Sequence, residues 1–74
     1  MKIVDNNLLT EREKEIVLHI INGETKGEIA KSLFLSISTI KTNVENIYRK
    51  LNVNNKAALI VYVVKKNMLI FDKE

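Results

Sequence analysis

Ile40, Val44, Ile47 and Leu51 recur at helical spacing, and only Phe34 and Leu35 separate Ser36, which can cap that segment, from the end of a shorter stripe, Ile29, Ala30 and Leu33. Apolar residues three and four positions apart share one side of an α-helix. Two amphipathic helices joined by so few residues must meet in a tight turn, which leaves few folds open to a single domain of 74 residues. Leu35, just before the cap, can staple to Ile40 and fix the entry of the chain into the longer helix.

The segments on either side carry their own start and stop signals. Thr10 followed by Glu13 is a capping box, in which each side chain satisfies a backbone donor of the other residue. It predicts a helix from near Glu11 to near Asn22, with Ile16, Val17, Ile20 and Ile21 inward and Gly23 as its left-handed terminator. Thr25 and Glu28 repeat the device for the short helix. There Gly27 in the first turn costs about 1 kcal/mol relative to alanine, so that helix must lean on its neighbours. A fourth helix is expected after Asn54-Asn55, from Lys56 to about Lys66, with Asn67 as a left-handed end. Its β-branched run, Ala57 to Val64, could be read as a strand, but the asparagine cap and terminal lysines favour a helix. The expectation is an all-α, compact four-helix domain over residues 1–74, with residues 1–8 a loose N-terminal lead.

Composition excludes several classes of function. Without cysteine there is no disulfide framework or thiolate zinc site, and one histidine, His19, makes no metal cluster. No run approaches the roughly 20 apolar residues of a membrane span, so a cytoplasmic protein with no membrane partner is expected. No nucleophile–base pair, phosphate-cradling glycine loop or carboxylate cluster is visible. The chain therefore reads as a non-enzyme with no cofactor, no metal and no small-molecule ligand in this domain. Tyr48 and Tyr62 read as aromatics at the edge of the core, with wet hydroxyls.

The net charge of +3 is unevenly placed. Residues 1–23 sum to −1, residues 24–56 to +3 and residues 57–74 to +1, so the positive field centres on the two closely joined helices. Opposite its apolar stripe, the longer of these carries Ser38, Lys41, Thr42, Glu45 and Arg49. A polar face is the ordinary solvated side of a surface helix. Short hydrogen-bonding side chains and a lysine near the positive end of the helix, however, suit phosphates and base edges. A second helix braced by the first across a tight turn is also the arrangement that enters the DNA major groove.

The residues Leu9-Thr10-Glu11-Arg12-Glu13, Gly23, Glu28-Ile29-Ala30, Leu33, Leu35-Ser36, Thr39-Ile40-Lys41, Asn46-Ile47, Lys50-Leu51, Val53 and Asn55 resemble, in type and spacing, the DNA-binding domain of the LuxR/GerE family. The resemblance runs from Leu8 to Ile70. It implies double-stranded DNA as the partner, with Lys41, Thr42 and Glu45 nearest the bases and Ser38 beside them on the same face. Ser36, Thr39, Asn43, Arg49, Lys50 and Lys56 would then lie toward phosphates, together with Lys26. It further implies a homodimer formed through the last helix on inverted half-sites, and action by recruiting or blocking RNA polymerase. Some positions depart from the family pattern. Lys26-Gly27 stands where Asn-Lys is usual, Asn43 for a frequent histidine, and Lys56 for a frequent arginine. Leu59 and Val63 stand where relatives carry small residues.

Two features keep alternatives open. Glu45 can accept from a cytosine amino group, or can pair along the helix with Lys41 or Arg49 for only ~0.3–0.5 kcal/mol. On the fourth helix Leu59, Ile60 and Val63 can cover the first and third helices, leaving Ala57, Val61 and Tyr62 for a dimer contact or for the monomer's own tail, Met68 to Phe71. Rival functions are a promoter-reading module like region 4 of sigma factors, and a helical protein-interaction module with no direct DNA role. Met1 and the length suggest a free-standing small regulator, with the output domain of a longer response regulator as the open alternative.

Overall fold

The computed structural model describes residues 1–4 and 7–70. Four helices, α1 (Glu11–Ile21), α2 (Lys26–Leu33), α3 (Ile37–Leu51) and α4 (Lys56–Lys65), lie between two short strands, β1 (Lys2–Ile3) and β2 (Leu69–Ile70). Both capping boxes form as the threonine–glutamate spacing requires. Thr10 Oγ1 accepts from the Glu13 amide at 3.0 Å while Glu13 Oε1 accepts from the Thr10 amide at 2.9 Å. Thr25 and Glu28 do the same at 3.1 and 2.8 Å. Ser36 and Asn55 cap α3 and α4.

The helix ends are set by left-handed residues. Gly23 and Asn67 adopt that conformation, as expected of both. Phe34 and Asn52 adopt it too, at the ends of α2 and α3. At Phe34 the turn is so short that the Leu35 amide must return to the Ala30 carbonyl, at 2.9 Å, which demands a positive φ from whatever residue stands there.

The core is aliphatic. Ile16, Ile29, Ile40, Ile47 and Leu59 are its largest fully buried side chains, joined by Val17, Val44, Leu51 and Val63. Each comes from the inward stripe of its helix. α3 is the central element, in contact with α1, α2 and α4. Leu35 packs against the same cluster that holds Ile40, consistent with a staple across the start of α3. On α4, Leu59 and Val63 are fully buried, and Ile60 is only half covered.

The N-terminal lead departs from the expectation of a loose segment. Lys2–Ile3 pairs antiparallel with Leu69–Ile70, and the Val4 amide donates to the Met68 carbonyl at 2.7 Å. Ile3, Leu9 and Met68 are all buried. The physical reason is burial of apolar surface: β1 packs against α1, and Ile3, Leu9 and Met68 join the core cluster built by the helices. Phe71 lies outside the described residues. Among the described residues no helix is long and apolar enough to cross a membrane, and no group of three or more His, Asp or Glu side chains could hold a metal.

Candidate nucleic-acid interface

The face of α3 opposite its buried stripe is open to solvent. Ser38, Lys41, Thr42, Glu45 and Arg49 are all exposed, none covered by the chain itself, and all stand on a regular helix. Among the described residues, Glu45 makes no ion pair with Lys41 or Arg49, so its carboxylate is not committed along the helix.

The start of α3 is organised by its own hydroxyls. Ser36 Oγ accepts from the Thr39 amide at 3.0 Å and donates to Thr39 Oγ1 at 2.9 Å. Asn43 Nδ2 donates to the Thr39 carbonyl at 2.9 Å. Ser36, Thr39 and Asn43 therefore form one locally bonded row beside the open face, with Ser36 and Thr39 exposed and Asn43 half-buried.

Lys26 and Lys56 come to one groove although they stand thirty positions apart in the chain. They are the first residues of α2 and α4, and they line one groove with Thr25, Asn54, Asn55 and Tyr48, floored by Ile20, Ile29 and Val44. Glu24 lies at its edge, its Oε2 2.8 Å from His19 Nδ1. Burial pushes the Tyr48 phenol above its ordinary pKa, so it stands as a neutral group in this groove.

Lys50 is turned elsewhere. Its Nζ lies 2.7 Å from Glu13 Oε1, the oxygen that also accepts the Thr10 amide. Glu13 is the only buried charged residue among those described, at 4% exposure. Burial raises its pKa, but the hydrogen bond from Lys50, those from Thr10 and the lysine charge together hold it below the ordinary glutamate value.

On α4, Ala57 and Val61 face solvent, Val61 at 54%. Val64, at 61%, follows Val61 by three positions and extends the same face. Tyr62 lies apart from it, half-buried against the core, with Lys66 Nζ 5.8 Å from its ring centroid.

A helix-turn-helix of this build, with an exposed polar third helix, invites comparison with known families, and the model of the GerE domain, bacterial regulatory proteins of the luxR family, matches residues 7–63. The chain belongs to the LuxR family. Its similarity to the Bacillus subtilis transcriptional regulatory protein YhcZ is 42% identity over 60 residues, covering 81% of this chain and 28% of that protein. Response regulator protein VraR of Staphylococcus aureus is 40% identical over 62 residues, covering 84% of this chain and 30% of VraR. VraR of Staphylococcus epidermidis matches to the same extent. The chain thus spans less than a third of the length of these relatives. Within this LuxR-family domain the α2–α3 pair forms the helix-turn-helix.

Several features of this LuxR-family domain escape a reading of the residues alone. Glu13 was legible as a capping acid, but its partner lies 37 positions away with no spacing rule to join them. Ile37 and Val64 are exposed and apolar, and a helical projection of α3 and α4 could have found both. The groove between Lys26 and Lys56 has no local signal.

Proposed function

We propose that the chain binds duplex DNA with α3 in the major groove. Ser38, Lys41, Thr42 and Glu45 meet base edges, with Glu45 accepting from a cytosine amino group. Ser36, Thr39, Asn43 and Arg49 flank them toward the phosphates, and Lys26 and Lys56 hold the backbone from the neighbouring groove. The observation that carries this reading is the open polar face of α3 standing opposite a fully buried stripe.

A second feature supports the backbone contacts. Lys26 and Lys56 occupy helix N-termini, where a cation opposes the helix dipole by about 0.3–1 kcal/mol. An anion drawn to both the lysines and the helix ends reverses that penalty. Lys50 joins the phosphate set only by sharing an ammonium that Glu13 already holds.

Ala57 and Val61, extended by Val64, form a narrow apolar face on α4 that suits a second copy of the chain, whereas Tyr62, half-buried against the core, stands outside it. Two copies related by a twofold axis present two α3 helices to inverted half-sites. Regulation through RNA polymerase is the corresponding proposal for the assembled protein.

The test is selection of bound duplexes from a random pool, followed by gel shifts across a salt series. Sequence preference is expected, with affinity falling linearly on a log–log salt plot by about 0.9 per phosphate neutralised. Equal affinity for all duplexes, or a flat salt response, sinks the reading.

A further inference from the structure

We propose that Ile37 reads a thymine methyl group at one edge of the recognition site, an inference that rests on the major-groove reading of α3. Ile37 is the first residue of α3 and is 53% exposed. It precedes Lys41 by four positions, so the two share one flank of the helix. When such a helix enters the groove, its N-terminal residues come nearest the base edges.

The hydroxyls on either side of Ile37 are bonded to each other, Ser36 to Thr39, as parts of the cap. Ile37 is an apolar group set among them with no place in the domain's core. Its Cδ1 lies beside the first turn of α2, at ordinary van der Waals range (3.9 Å) from where a Cβ on Gly27 would stand. Its β-branch restricts χ1.

A half-exposed isoleucine gains nothing from donors and acceptors. In the major groove the apolar group that a base edge offers is the C5-methyl of thymine. Covering that methyl with Ile37 removes apolar surface of both from water, which discriminates thymine from cytosine and from uracil at the position it meets.

The experiment uses the full chain and its selected duplex, with each thymine replaced in turn by deoxyuridine, which removes only the methyl. Binding by the parent protein should weaken about fourfold at one thymine per half-site, the worth of one buried methyl group. In Ile37→Ala the same replacement should change nothing, and Ile37→Val should fall between. Circular dichroism establishes that both variants are folded, and Val, which keeps the β-branch, carries the test if Ala is not. Equal uracil losses in parent and variants overturn the proposal, as does a selected site without thymine. If duplexes are still selected by sequence while the uracil scan is flat, this inference alone fails; if no duplex is preferred, the groove reading fails with it.

Discussion

Lys50 Nζ stands 2.7 Å from Glu13 Oε1, which fastens the last turn of α3 to the first turn of α1. The same carboxylate closes the capping box of α1 through the Thr10 amide. One buried acid thus sets both where α1 begins and how it lies against α3.

This link makes stability depend on acid. Glu13's pKa is lowered in the folded chain, so the folded state binds fewer protons than the unfolded one. The stabilisation is complete above the unfolded pKa of about 4.3 and is lost as pH falls through the lower folded value. Glu13→Gln, which keeps an acceptor for Thr10, should cost about 1–2 kcal/mol at neutral pH. Urea unfolding of both proteins across pH should show the gap closing below about pH 4. A gap that persists at pH 3 means the charge is not its source.

Lys41 and the paired lysines should separate in binding experiments. Lys41→Ala is expected to lose about tenfold on the selected duplex and little on random DNA, with relaxed preference at the base it meets. Lys26→Ala and Lys56→Ala should weaken binding to all duplexes alike, each reducing the salt slope by about 1. Gel shifts on specific and random duplexes at several salt concentrations distinguish the two patterns. Uniform loss in all three variants would remove Lys41 from the base-reading set.

Val61 is 54% exposed, so replacing it should leave the monomer fold intact. Val61→Glu places a charge on the apolar face of α4 and should abolish dimerisation, seen by cross-linking or sedimentation on the two-half-site duplex. Binding to a single half-site should be unchanged. A variant that still dimerises moves the contact away from α4.

Phe34 combines 94% exposure with a left-handed φ of 58°. A bulky side chain in that region is strained, and one so exposed recovers almost nothing by packing. Phe34→Gly should therefore stabilise the domain by about 1 kcal/mol, read as a higher midpoint in thermal or urea unfolding. No gain, or a loss, would show that the ring is held by contacts its exposure does not suggest.

What could be read in the sequence was local. The Thr10–Glu13 and Thr25–Glu28 boxes, Ser36 and Asn55 as caps, and Gly23 and Asn67 as left-handed ends all act within three or four residues, and each stands where its spacing requires. The β-branched run of α4 is helical because its asparagine cap and terminal lysines outweigh its strand propensity. The missed features join distant residues. Two-residue strands at opposite ends of the chain have no periodicity to detect, and no local rule joins Lys50, which the family resemblance places toward phosphates, to Glu13. Phe34 concealed its left-handed turn because glycine or asparagine is the usual mark of one. For the candidate site, the open face of α3 followed from its helical period, whereas the meeting of Lys26 with Lys56 needed the tertiary structure.

The pairing of Lys2–Ile3 with Leu69–Ile70 bears on the order of folding. Bringing these ends together closes a loop nearly as long as the whole polypeptide, an entropic cost met only when the intervening helices have already shortened the path between them. The seam between the termini is thus expected to be the final stitch in assembly and the first to part, and among the hydrogen-bonded amides exchange should be fastest at Val4, which donates to the Met68 carbonyl, while the interior amides of α3 stay protected longest.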